Sequence, residues 1–141
     1  MKIIYSSSPQ ETELIAENLS KQLPKGTVLT FFGGLGMGKT TFIRGFVRGL
    51  GINCDVSSPT FAIVNEYRGD NNSLFHFDMY RVKSWDDLYS TGFFDYIDEN
   101  EYIAVEWSEN IENALPENAV KVYLESEDGN NIRKITITDG E

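Results

Sequence analysis

Residues Gly33-Gly34-Leu35-Gly36-Met37-Gly38-Lys39-Thr40 fit the pattern G-x-x-x-x-G-K-[ST]. A run of strand formers, residues 27–32, leads into them, and a helix-like run, residues 40–50, leads out. Few sequences constrain a fold as tightly as a strand that ends in a glycine-rich turn and feeds a helix. Four glycines let the backbone curl with its N–H groups turned inward toward an anion. The start of the following helix adds its unpaired N–H groups and the positive end of its dipole. Lys39 can reach β- and γ-phosphates, and the Thr40 hydroxyl can bind Mg²⁺. The competing reading is a plain glycine-rich turn before a helix. The agreement of strand, loop and helix favours a nucleoside triphosphate site.

Chain-wide numbers narrow the class. At 141 residues the chain is expected to be a single P-loop domain, residues 1–141, with one sizeable core. Its net charge of −10 repels phosphate backbones and argues against autonomous nucleic-acid binding. One cysteine, Cys54, can form no internal disulfide and has no companion for a zinc site. It reads as a small loop residue rather than a nucleophile. No apolar run approaches the roughly 18 residues that span a membrane. The start MKIIYSSSP is too short and polar for a signal peptide. A reducing cytoplasm is the expected setting.

Ser8-Pro9-Gln10-Glu11 is a capping box with proline at the first helical position. Leu14, Ile15, Leu19 and Leu23 then recur on one helical face, and Pro24-Lys25-Gly26 ends the helix. In the helix after the glycine-rich loop, Phe42, Ile43, Phe46, Val47 and Leu50 should be buried, with Gly51 as its cap. Gly45 and Gly49 are expected to let that helix approach the sheet closely. A hairpin follows, residues 61–67 and 73–80 around Gly69-Asp70-Asn71-Asn72, then a helix capped by Ser84. Residues 102–105 read as a buried strand. The tail reads as a second hairpin: Val120, Val122 and Leu124 alternate, Asp128-Gly129 turns, and Ile132, Ile135 and Ile137 return. The expected fold is α/β, a P-loop sandwich with a mixed, partly parallel sheet and added antiparallel hairpins.

Residues 74–80 place Phe75, Phe77 and Met79 on one face of a strand and His76, Asp78 and Tyr80 on the other. Such a polar face is either a site or the wet side of a hairpin. Glu106 closes the apolar run 102–105, the place where P-loop proteins keep the acid that holds Mg²⁺ or polarises the attacking water; an ordinary strand-end glutamate is the alternative. Trp107 either anchors the strand end or acts in the site. Ser57-Ser58-Pro59-Thr60 could hang a hydroxyl over the γ-phosphate, or be a simple turn. His76, the single histidine, reads as a hydrogen-bonded structural residue. The absence of an N-K-x-D motif disfavours a GTPase. Five arginines are few for a small-molecule kinase, and only Arg81 follows the candidate strand.

GGLGMGKTTFIRGF, SSPTF, HFDMYR and EW occur in this order and spacing. Together they resemble the TsaE family, bacterial ATPases of tRNA threonylcarbamoyladenosine biosynthesis, over roughly residues 8–109. One departure is visible: that family usually carries an acidic residue where Gly34 stands. The resemblance implies ATP and Mg²⁺ as cofactors and slow hydrolysis by the isolated chain. It implies TsaD and TsaB as partners, with the ATPase resetting that pair between turnovers and tRNA engaged only through it. It assigns Lys39, Thr40 and Thr41 to phosphates and Mg²⁺, and Thr60, Asp78 and Glu106 to the metal and water site. Thr12 and Ser8 fall near the adenine end. A phosphotransferase acting on a small hydroxylated metabolite and a nucleotide-dependent binding switch stay open as alternatives.

Overall fold

The computed structural model describes residues 1–34, 36–57, 59, 63–127 and 131–138. Among them, seven strands share one sheet: β1 (Lys2–Ser6), β2 (Val28–Phe32), β3 (Val64–Arg68), β4 (Ser73–Asp78), β5 (Tyr102–Glu106), β6 (Val120–Ser126) and β7 (Arg133–Thr138). The helices are α1 (Pro9–Ser20), α2 (Lys39–Gly49), α3 (Trp85–Ser90) and α4 (Phe93–Asp98), with a 3₁₀ segment over Ser108–Ala114. Strand order is β1-β7-β6-β2-β5-β4-β3. The inner strands β6, β2, β5 and β4 are parallel. β3 joins β4, β7 joins β6 and β1 joins β7, each antiparallel.

The mixed sheet matches expectation, with two refinements. The C-terminal hairpin is built into the sheet, because β6 pairs in parallel with β2 from Leu29↔Val120 to Phe32↔Tyr123. β1 was not anticipated. It is a five-residue edge strand with Ile3 and Tyr5 exposed and only Ile4 and Ser6 facing inward, so apolar and polar residues do not alternate along it.

Parallel neighbours need crossovers, and these put helices on both faces. β2 shows why two cores result. Leu29 and Phe31 point toward Phe42, Ile43, Phe46 and Val47 of α2. Val28 points the other way, into a cluster with Phe75, Phe77, Phe93, Ile103 and Val105. Both clusters are closely packed, and the edge-to-face pair Phe31–Phe42 (5.5 Å) joins β2 directly to α2.

Helix α1 corrects three local expectations. Ser8 caps it as expected, its Oγ accepting from Glu11 N at 3.1 Å. The return bond lands one residue upstream, where Glu11 accepts from Ser7 N and Ser7 Oγ. The buried stripe is Thr12, Ala16, Leu19 and Ser20, while Leu14 is exposed. The reason is the neighbour. α1 lies against α2, and Thr12, Ala16 and Ser20 are small where the two helices come close, with Leu19 reaching the core beside them. Gly45 and Gly49 serve this helix–helix contact, not a contact with the sheet. A Cβ on Gly45 would overlap the Glu13 carbonyl, and one on Gly49 the Ser20 hydroxyl. Arg48 adds ion pairs across the seam to Glu13 (2.8 Å) and Glu17 (3.1 Å). Among the described residues no helix is long and apolar enough to cross a membrane.

Candidate functional site

The loop after β2 takes the shape its glycines allow. Gly36 (φ +79°) and Gly38 (φ +102°) occupy the left-handed region, where a side chain would be strained. A Cβ built on Gly34, Gly36 or Gly38 would meet nothing within 4 Å, so the loop borders open space. α2 starts at Lys39, and the first-turn N–H groups of such a helix lack intrahelical acceptors. Thr40 and Thr41 sit half-buried in that turn. The donor set suits phosphate. Leu35, Ser58 and Thr60 lie outside the described residues, as do Phe61, Ala62 and the Asp128-Gly129 turn.

Lys39 is buried. Its ammonium donates to Gly33 O at 3.0 Å, lies 3.8 Å from Glu106 Oε1, and stands 4.9 Å from the centre of the Trp107 ring. Glu106 ends β5 and is itself buried. β4 runs parallel beside β5 in the register Asp78↔Glu106, which brings the two carboxylates to adjacent strand ends next to the loop. Asp78 is half-buried and accepts from Tyr80 N at 2.9 Å. The two acids are far apart in sequence and become neighbours through that register alone. This is the arrangement of an α/β sheet whose ligand cleft opens at the carboxyl ends of the strands.

His76 lies one pleat below Asp78 on the same face and is fully buried. Its Nε2 is 2.5 Å from Glu106 Oε2. The expectation of a hydrogen-bonded histidine is met, and its partner is the candidate acid of the site. Trp107 adopts a left-handed conformation (φ +59°), uncommon for a bulky residue and a local store of strain. The turn carries its ring beneath Lys39 and against Tyr80, 4.9 Å between centroids. Arg81 is exposed.

Beside the loop lies a cleft of about 360 Å³. Ser8 and Thr12 line it from α1, Gly36, Met37, Gly38 and Thr41 from the loop and α2, and Asn131 and Arg133 from the start of β7. Thr12 is buried and shares a 2.7 Å hydrogen bond with Ser6. The structure therefore brings Ser8 and Thr12 to the loop's flank. Sequence reasoning missed Asn131 and Arg133, since the C-terminal hairpin carries no motif. A basic pair, Arg133-Lys134, opening a strand that continues Ile-Thr-Ile-Thr was the one available signal. The cleft is thus lined from three segments distant in sequence.

A glycine-rich turn between a parallel strand and a helix, with strand-end acids beside it, defines a P-loop α/β sandwich. Residues 6–135 match the family described as Threonylcarbamoyl adenosine biosynthesis protein TsaE. The chain belongs to this TsaE family, which is involved in tRNA threonylcarbamoyladenosine biosynthesis. It is 39% identical over 131 residues to the tRNA threonylcarbamoyladenosine biosynthesis protein TsaE of Bacillus subtilis, covering 93% of this chain and 81% of that one. To the protein of the same description from Treponema pallidum it is 35% identical over 133 residues, covering 94% and 96%. Among solved structures, Bacillus subtilis YdiB superposes with a TM-score of 0.82 at 34% identity, covering 99% of this chain and 86% of that one.

Proposed function

We propose that this chain binds ATP with Mg²⁺, hydrolyses it slowly on its own, and acts with the TsaD–TsaB pair in the cytoplasm so that tRNA modification can turn over repeatedly. The observation that carries the reading is the convergence of Lys39, Asp78 and Glu106 at the mouth of the glycine-rich loop. The loop's N–H groups and the start of α2 cradle the phosphates. Lys39 moves from Gly33 O to the β- and γ-phosphates, a short swing for a flexible side chain. The Thr40 hydroxyl, Asp78 and Glu106 would hold the metal, and Glu106 would orient the attacking water. When bound, Mg²⁺ neutralises charge building on the transferred phosphoryl group. Thr60 is assigned to the γ-phosphate side. Ser8, Thr12, Met37 and Arg133 flank the cleft that takes the adenine end.

The partner assignment rests on family membership and on charge. A chain with net charge −10 gains little from touching tRNA directly. Arg81, the candidate arginine after β4, is exposed, which leaves the attacking water poorly fixed until a partner closes the site.

The test mixes this chain with purified TsaD and TsaB and follows phosphate release and tRNA modification together. Phosphate release is expected to rise in the mixture, and modification to continue past one turnover only with this chain present. Lys39→Ala should lower hydrolysis by at least about 10²-fold, the order seen when one charge-stabilising group is lost. Unchanged ATP affinity and turnover in Lys39→Ala would refute the nucleotide site. Modification running through many turnovers without this chain would refute the role.

A further inference from the structure

His76 is completely buried, and none of the roles assigned above uses it. Its Nδ1 is buried with no hydrogen-bond partner among the described residues. An aromatic or aliphatic side chain would fill the same space and leave no polar atom stranded, so packing does not account for an imidazole here. The other nitrogen does. Nε2 lies 2.5 Å from Glu106 Oε2, a separation short enough for a strong, charge-assisted bond. The remaining oxygen, Oε1, is the one 3.8 Å from Lys39 Nζ.

We propose that His76 is a positioning residue whose Nε2–H grips Glu106 Oε2 and turns Oε1 toward Lys39 and the mouth of the phosphate loop. The inference rests on the reading above that Glu106 serves the nucleotide site. A carboxylate on a flexible stem otherwise has free rotation about its last bond, and a group that must hold a metal or a water needs one orientation. Orienting partners of this kind set ligand geometry in metal sites generally.

The backing of the ring supports the assignment. The Tyr67 ring lies against His76 with 6.3 Å between centroids. Tyr67 is itself pinned: its hydroxyl donates to Ser57 O at 2.9 Å and accepts from Ser57 N at 3.2 Å. Asn65 Nδ2 also donates to Ser57 O, at 3.0 Å. The imidazole is thus wedged between a fixed phenol ring and Glu106. The hydrogen bonding also selects a tautomer. With the proton on Nε2, the stranded Nδ1 is a bare lone pair. With it on Nδ1, a buried N–H donor is stranded and Glu106 would have to donate. The first arrangement leaves the smaller debt.

Two measurements on the full chain test this. The chain has a single histidine, so long-range ¹H–¹⁵N correlation of the imidazole is unambiguous. A proton on Nε2 is expected; a bare Nε2, with the proton on Nδ1 alone, overturns the proposal. In kinetics, His76→Phe should lower kcat for ATP hydrolysis at least about tenfold with KM for ATP changed less than about twofold, while His76→Gln, which offers an N–H at similar reach, recovers most of the rate. Glu106→Gln is measured beside them. If Glu106→Gln is slow and His76→Phe, folded by circular dichroism, keeps the parent kcat, the positioning role fails and the site reading stands. If Glu106→Gln itself hydrolyses at the parent rate, both fail. Should His76→Phe not fold, the tautomer decides alone.

Discussion

The two faces of β4 divide the labour of this molecule. On the face toward α3 and α4, Phe75, Phe77 and Met79 are fully buried, and Phe77 meets Phe93 and Tyr96 edge-on at 5.3 and 5.2 Å. On the face toward α2, the series runs Leu74, His76, Asp78, from apolar under the helix to acidic at the loop. One strand therefore supplies an aromatic seal on one side and a gradient toward polarity on the other. The difference shows how a small domain can bury Lys39, His76 and Glu106 near its centre. Burying charged and polar groups costs free energy even when they are paired. The hydrophobic face behind the same strand offsets that cost and holds the polar residues in register.

This division can be broken most forcefully from the aromatic side. Phe77→Ala removes a fully buried ring with edge contacts to two others, and should destabilise by about 3–5 kcal/mol. Chemical denaturation measures the loss. If the faces act separately, the rate of ATP hydrolysis per folded molecule stays within about twofold of the parent. A variant that keeps its stability yet loses activity would show that the faces are not separable.

A smaller effect sharpens the same contrast from the helix side. Gly45→Ala gains about 1 kcal/mol in helix propensity but drives a methyl group into the Glu13 backbone of α1. Overpacking against backbone should exceed that gain, for a net loss of about 1–2 kcal/mol by thermal or urea melting. Because Ser8 and Thr12 at the start of α1 line the cleft, the displaced helix should also weaken ATP binding. A stabilised variant would mean that α1 yields freely and is not a rigid wall of the site.

The legible parts of this molecule are those whose physics is local. The strand, glycine-rich turn and helix could be read because Gly36, Gly38, Lys39 and Thr40 lie within a few residues of each other. Asp78 and Glu106 could each be read as strand-end acids, but their adjacency comes from the β4–β5 register, which no local pattern encodes. Helical periodicity placed Leu14 inward because it cannot tell which neighbour a helix will meet; the glycines of α2 made that neighbour α1. The alternation of 74–80 separated His76 from Phe77 correctly, yet it gave no hint that the polar side is buried at His76 and half-buried at Asp78. Asn131 and Arg133 reach the cleft only because β7 closes onto β6 and β6 onto β2, two non-local pairings.

The mildest probe asks whether the aromatic face depends on any polar contact at all. At its rim, Tyr96 packs its ring on Phe75 at 4.8 Å and donates its hydroxyl to Glu66 Oε2 at 2.6 Å, tying α4 to β3. Glu66 also accepts from Arg68 Nε at 2.8 Å. The Tyr96 bond first, then Arg68, holds the Glu66 carboxyl below its ordinary value. The same bond, with burial second, pushes the Tyr96 phenol up. Signs follow for each group. The Glu66 contribution is present above the unfolded carboxyl value near 4.5 and is lost as pH falls through the lowered folded value. The Tyr96 contribution is present below the unfolded phenol value near 10.0 and is lost as pH rises through the raised folded value. Glu66 is exposed and Tyr96 half-buried, so the bond, reached by water at its carboxylate end, should be worth only about 0.5–1 kcal/mol. Tyr96→Phe keeps the ring and removes the bond. Stability should fall by that amount at neutral pH, and the difference from the parent should shrink at both acidic and strongly alkaline pH. A loss of several kcal/mol would place this rim bond among the supports of the aromatic face, and a difference that does not vary with pH would show that the ring contact alone holds α4.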